Sequence, residues 1–142
     1  MRIALGEAKA AMKHNDVPVG AVVLMDGEIV ATAHNRREID QDPCGHAELI
    51  ALRAAATKLG RWRLDDATVV VTLEPCAMCA GAIVSSRVKR VVFGAADPKA
   101  GACGSLYQLL SDPRLNHEVE LVALVEADES SALLTVFFAA KR

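Results

Sequence analysis

Two short motifs carry side chains suited to metal chemistry: His46-Ala47-Glu48, and Pro75-Cys76-Ala77-Met78-Cys79 about thirty residues further on. Cysteines three apart on a helix share a face, so Cys76 and Cys79 can address one ion, and a helix N-terminus favours the thiolate that binds it. His46 completes a set of nitrogen and sulfur donors of the kind tetrahedral zinc takes. A fourth position is then left for water, which separates catalytic from structural zinc. Zinc lowers the pKa of bound water to near neutrality, and Glu48 is the carboxylate placed to take that proton and pass it on. Residues two apart do not share a face of a regular helix. His46 and Glu48 therefore converge only at a first turn, where the site faces the helix end.

Other readings compete for these residues. A Cys-x-x-Cys pair alone fits a thioredoxin-like redox couple, but that chemistry has no use for His46 or Glu48. Cys44 offers a stronger rival, because Cys44, His46, Cys76 and Cys79 would make a closed Cys3His site that only holds the fold together. That arrangement leaves Glu48 unexplained and asks ligands two residues apart to meet at one tetrahedron. The open site is the expectation. The four cysteines are read as thiols, since a chain with this much apolar residue needs no disulfide staples.

These residues need a scaffold, and 142 residues with 52% hydrophobic and 24% charged content suit one domain spanning 1–142. The net charge of -2 excludes a protein that coats nucleic acid by general basicity, so any such contact must be focused on a local patch. No apolar run approaches the roughly 18 residues of a membrane span, and Glu7 interrupts any signal-like start. The expected compartment is the cytoplasm, with no membrane partner.

Apolar spacing predicts a helix over Arg2 to Met12, closed by His14-Asn15-Asp16. Val17 to Met25 and Glu28 to Ala33 read as strands of a hairpin turned by Asp26-Gly27. A polar loop covers His34 to Pro43, and a helix follows from Ala47 to Leu59 with Gly60 as its C-cap. Thr68 to Leu73 is a strand covered on both faces, after which Pro75 begins a helix over Cys76 to Ser85. A strand over Val88 to Phe93, a glycine-rich loop from Gly94 to Gly104, a strand over Glu118 to Val125 and a helix from Asp128 to Lys141, capped by Asp128, complete the chain. Strand and helix alternation implies parallel strands joined to the hairpin, hence an α/β fold: a three-layer α/β/α domain on a mixed five-stranded sheet. A sandwich has too few strands to compete.

The pairing of H-x-E with P-C-x-x-C is the signature of zinc-dependent nucleobase deaminases of the cytidine and deoxycytidylate deaminase superfamily. Glu74-Pro75-Cys76-Ala77-Met78-Cys79-Ala80-Gly81-Ala82 followed by Arg90 to Gly94 is narrower. With Val17 to Val22, His34-Asn35-Arg36, Asp42-Pro43, Gly101 to Leu106, Asn116-His117 and Phe137-Phe138, it resembles the bacterial tRNA-specific adenosine deaminases over nearly the whole chain. The resemblance implies a cytidine-deaminase-like fold, zinc (Zn2+) on His46, Cys76 and Cys79, and Glu48 as proton shuttle. It implies hydrolytic conversion of adenosine to inosine at the wobble position of a tRNA anticodon loop, by zinc-bound hydroxide attack on C6.

By the same resemblance Asn35 meets the edge of a flipped base, and Ala47, Asp97 and Phe138 contact substrate. A homodimer whose neighbouring subunits complete each pocket is also implied. Two departures stand out: relatives usually carry a small or hydroxylated residue at Cys44 and alanine at Gly45, and a basic residue is common where Ala96 stands. From spacing alone Asn35 would cap its own loop, and Phe137 and Phe138 would be core. Arg87, Lys89, Arg90, Lys99, Lys141 and Arg142 supply cations for a rim, although isolated surface charges ordinarily only solvate a face. A free-base or nucleoside deaminase with the same zinc chemistry is the alternative enzyme, and a closed zinc module the alternative without turnover.

Overall fold

A computed structural model describes residues 1–142. Its elements run α1 (Arg2–Met12), β1 (Gly20–Met25), β2 (Glu28–His34), α2 (Arg37–Asp40), α3 (Ala47–Leu59), β3 (Ala67–Leu73), α4 (Ala77–Ser85), β4 (Arg90–Ala95), β5 (Glu120–Val122) and α5 (Ala127–Ala139). The strands form one mixed sheet in the order β2-β1-β3-β4-β5. β1 is antiparallel to both β2 and β3, while β3, β4 and β5 are parallel. The three-layer α/β/α expectation therefore holds.

Alternation along β3 divides the core. Val69 and Val71 face the larger cluster, 23 buried residues beneath α3 and α4. Val70 faces the other way, joining Ala4 of α1 and Val22 of β1. α5 packs on that second side against β4 and α1. Side chains of successive strand residues point to opposite faces, so a near-continuous run of valines supplies both layers at once. The hairpin turn has positive φ at both central residues, 52° at Asp26 and 77° at Gly27, which matches its twist to the strands. Gly60 closes α3 in the left-handed conformation with φ 67°, as its position implies.

Several boundaries differ from expectation, each for a local reason. β1 starts at Gly20 rather than Val17, because Pro18 has no N–H for a ladder and the Val19 N–H turns back to the Val17 carbonyl at 2.8 Å. β2 runs one residue further, to His34. Pro75 lies before the helix and not in its first turn, since Cys76 is the N-cap of α4. β4 begins two residues late because the Val88 N–H still bonds Ile83 O at the end of α4, at 3.3 Å. β5 shrinks to three residues, with Leu124 and Glu126 both left-handed at φ 62° and 55°. Asp128 is not the cap of α5: Glu126 holds that position, and Asp128 sits in the first turn, where its charge still suits the helix dipole. The polar stretch expected to be loop contains α2, which is held from a distance, as described below.

No helix is long and apolar enough to cross a membrane. α1 lies close on β1 at Gly20, where an added Cβ would meet Ala4 O at 2.0 Å and Ala8 N at 2.6 Å. Those are backbone atoms and cannot swing aside. Gly20→Ala should therefore destabilise the protein by about 2 kcal/mol or more. Gly6→Ala, on the exposed side of the same helix with nothing within 4 Å, should stabilise it by roughly 0.5–1 kcal/mol. Urea midpoints of the two variants should move in opposite directions.

Candidate active site

The register brings four chain crossings to one edge of the sheet. Gly20 pairs with His34, Ala21 with Val71, and Leu73 with Ala95. Val19, Asn35, Glu74 and Asp97 consequently emerge together, at the C-terminal ends of the parallel strands, where α/β sheets place their ligands. A cavity of about 210 Å³ opens there, walled by Asn35, Arg37, His46, Glu48, Cys76 and Asp97 among others.

Two helix beginnings supply its chemistry. His46 is the N-cap of α3 and Cys76 the N-cap of α4, so both side chains stand at helix N-termini; Glu48 and Cys79 follow within the first turns. His46 Nδ1 lies 3.6 Å from Cys76 Sγ and 3.5 Å from Cys79 Sγ, and all three donor atoms fall within 4.8 Å of one another. Tetrahedral zinc, with bonds of about 2.3 Å to sulfur and 2.0–2.1 Å to nitrogen, separates such atoms by about 3.6 Å. The donor set fits that ion in type and in spacing. Cys44 does not join it: its amide N–H donates to Asp42 Oδ1 at 2.9 Å, in the turn before His46, and the fourth ligand of a closed site is not assembled.

The proton inventory points the same way. A hydrogen bond from the Cys79 thiol, helped by His46, pulls Cys76 down to about 3. Cys79, the donor in that pair and buried besides, is pushed well up. The hydrogen bond to Cys76 raises His46 against the effect of burial. Two thiolates side by side repel, and only a cation between them lets both ionise. Glu48 is 4% exposed, and burial lifts its carboxyl to about 7, although the charge on His46 draws it down. A carboxyl titrating near neutrality beside a set of metal donors is suited to moving protons.

The other expected contacts divide. Asn35 is buried; its Oδ1 accepts the Ala47 N–H at 2.9 Å, which leaves its side-chain amide hydrogens toward the cavity. It thus caps α3 from twelve residues away instead of capping its own loop. Ala47 is fully buried in the core and does not line the cavity. Asp97 lines it, with Oδ1 accepting the N–H groups of Lys99 and Ala100. A groove of about 670 Å³ continues from the cavity past Val17, Leu73 and Asp97 to Ala96, Lys99, Phe138, Lys141 and Arg142. Phe137 is core while Phe138 is 47% exposed on that groove. Only half of the expected cations gather there: Arg90 pairs with Glu120 at 3.0 Å, and Arg87 donates to Val84 O at 3.0 Å.

Sequence reasoning passed over two buried carboxylates. Glu74 accepts the N–H of Asp97 at 2.8 Å, of Cys103 at 3.1 Å and of Ser105 at 2.9 Å, together with the Ser105 hydroxyl. Burial would raise its carboxyl, but those donors outweigh it and hold the group below its usual range. Gly101 lies against it, where a Cβ would meet Glu74 Cδ at 2.3 Å. Asp16 accepts the N–H groups of Glu38 and Ile39 at 2.9 and 3.4 Å and a bond from His14 Nδ1 at 2.8 Å, which creates α2 across 22 residues. An acid ending a buried strand, as Glu74 does, was a usable signal, because such a charge must be bonded. Asp16 looks like any turn residue.

The donor geometry predicts metal content. Cys44→Ser should keep about one equivalent of zinc through dialysis against a weak chelator. Cys76→Ser and Cys79→Ser should weaken binding by more than about 100-fold, since even outer partners of zinc ligands are worth 10–100-fold. Elemental analysis of the dialysed variants decides it; loss of zinc from Cys44→Ser would restore the closed site.

Comparison with known proteins gives the family. The MafB19-like deaminase family model matches residues 1–142. The tRNA-specific adenosine deaminase of Bacillus subtilis (strain 168) is 51% identical over 138 residues, covering 97% of this chain and 86% of its own. That of Haemophilus influenzae is 46% identical over 143 residues, covering 100% of this chain and 83% of its own. A solved structure from work on A-to-I editing by tRNA:A34 deaminases at the wobble position of transfer RNA superposes with a TM-score of 0.91 at 40% identity, over 94% of this chain and 97% of that one. With full-length agreement in sequence and fold, the chain belongs to the MafB19-like deaminase family, among the relatives named tRNA-specific adenosine deaminases.

Proposed function

We propose that the chain hydrolyses the adenosine at the wobble position of a tRNA anticodon to inosine, with His46, Cys76 and Cys79 holding zinc and Glu48 carrying protons. The observation that carries this reading is the continuity of a small metal-donor cavity with a groove bearing an exposed aromatic ring and three cations. A free base would need only the cavity; a nucleotide within a chain uses both. An anticodon loop suits it, because a loop base is extruded at low cost.

Zinc, when bound, supplies a water acidic enough to act as a nucleophile at neutral pH. Glu48 takes the first proton that the attacking water gives up and delivers it to adenine N1, then takes the second proton of the same oxygen and delivers it to the 6-amino nitrogen. The C6–O bond forms with the first transfer; with the second the C6–N bond breaks, the C6 carbonyl forms and ammonia leaves. Asn35, its Oδ1 fixed by the Ala47 N–H, donates its amide hydrogens to the purine edge; Ala47 contributes through that bond. Asp97 approaches the polymer backbone with its remaining carboxylate oxygen, and Phe138 stacks on a neighbouring base, a contact of about 1–3 kcal/mol. The same reading has the enzyme work in the cytoplasm as a homodimer whose neighbouring subunits complete each pocket.

Incubation with an anticodon stem-loop bearing the wobble adenosine, beside free adenosine, adenine, guanine and cytidine, should yield inosine in the RNA alone. Turnover of a free base with untouched RNA overturns the substrate. Glu48→Gln should retain zinc yet lose about 10²–10⁴ in kcat. Because Glu48 must be ionised to accept a proton, activity falls as pH drops through its pKa. Burial lifts that value from 4.5 toward about 7 and a bound cation lowers it again, so the acid limb of kcat/KM should have its midpoint between those values.

A further inference from the structure

Arg37 is the one arginine or lysine that lines the metal-donor cavity, and hydrolysis at C6 makes no use of it. Its guanidinium takes part in none of the ion pairs of the molecule, whereas its neighbour Arg36 is spent on Asp40, at 2.7 and 2.8 Å. Asp97, the acid across the cavity, is occupied with the Lys99 and Ala100 amides on one oxygen.

The backbone under Arg37 is fixed with unusual care for four residues of helix. Asp16, 1% exposed, spends its carboxylate on the Glu38 and Ile39 amides of α2. The Arg36 N–H donates to Gly45 O at 2.9 Å, and a Cβ on Gly45 would meet Arg36 O at 3.1 Å and Arg37 N at 3.2 Å. α2 is thus pressed against the residue preceding His46. A buried carboxylate spent on an exposed helix stabilises little core. What it does fix is the distance between a free guanidinium and the donors.

We propose that Arg37 binds the phosphodiester flanking the target nucleoside, and that Asp16 is the positioning residue that holds it at the mouth of the cavity. Arginine is the fitting residue, since its planar fork takes two phosphate oxygens at once and stays charged at every working pH. A free base or nucleoside has no group for it, so the contact selects nucleotides within a chain. The proposal rests on the RNA reading above.

The test uses the zinc-loaded enzyme and the anticodon stem-loop, with kcat and KM measured across a salt series. Arg37→Ala should raise KM roughly five- to tenfold, as one charge-assisted contact at an exposed mouth would, while kcat at saturation changes by less than about twofold. The slope of log kcat/KM against log salt should lose about 0.7–1, the share of one phosphate. Arg37→Lys should recover part of both. Lys9→Ala, which removes an exposed, unpaired cation of α1 that lines neither the cavity nor the groove, controls for net charge and should alter neither. Asp16→Ala, or Asp16→Asn if the first does not fold, should reproduce the KM rise and be non-additive with Arg37→Ala. Unchanged KM and slope in Arg37→Ala, or a fall in kcat alone, overturns the assignment while leaving the RNA reading intact. A wild-type enzyme inert toward the stem-loop overturns both.

Discussion

Two thiols held within a few ångströms of each other cannot both ionise unless a cation stands between them, and the geometry around Cys76 and Cys79 follows from that restriction. Their proton is shared asymmetrically, with Cys76 drawn down and Cys79 pushed up. Placing Cys76 and His46 at N-cap positions aims the partial positive charge of two helices at the place where negative charge collects. In an ordinary capping box those positions would be filled by hydroxyl and carboxylate groups bonded to backbone amides. Here they hold metal donors, and neither helix has a side-chain cap of its own. Asn35 repairs one of the two ends, accepting the Ala47 N–H from a neighbouring strand end.

That repair links the chemistry to the sheet. Asn35 follows β2, Glu74 follows β3 and Asp97 follows β4, so the cavity depends on the register of three strands and not on any one loop. Loops at such an edge would wander without internal anchors. Glu74 anchors the Asp97 to Ser105 wall with three amides and a hydroxyl, and Asp16 anchors the α2 wall with two amides. Both carboxylates are nearly inaccessible, both are fully bonded, and neither belongs to the donor cluster. A buried charge is tolerable only when its hydrogen bonds are complete, so each acts as an all-or-none clasp.

What could be read from sequence was local. The His46 and Glu48 pair, the Cys76 and Cys79 pair, the Asp26-Gly27 turn and the Gly60 cap each depend on residues within one turn or one loop, and all stand where their spacing puts them; the meeting of the two pairs, about thirty residues apart, was legible only because the two motifs occur together. The places where reading stopped short depend on partners far along the chain. α2 exists because of Asp16, 22 residues away, and its polar sequence has no helical signature of its own. β5 ends early because Leu124 and Glu126 adopt left-handed conformations that no glycine announces. Phe137 and Phe138 are adjacent and alike in type, yet one is core and the other solvent, a division set by the rotation of α5 on the sheet.

Charge placement completes the account of how a chain with net charge -2 can address an anionic polymer. Arg36, Arg63, Arg90 and Arg114 are neutralised by nearby carboxylates, so they contribute little to the outward field. Lys99, Lys141 and Arg142 stand along one groove, with Lys141 4.8 Å above the Phe137 ring. The attraction of the cations at this opening falls off within about a Debye length of 8–10 Å, so it acts locally on whatever lies along the groove. With net charge -2, such a molecule lacks the overall basicity that draws proteins to nucleic acid in general. On the proposed reading the strand is held along the groove that leads to the cavity, and the modest basic content accords with selecting one nucleotide rather than coating many.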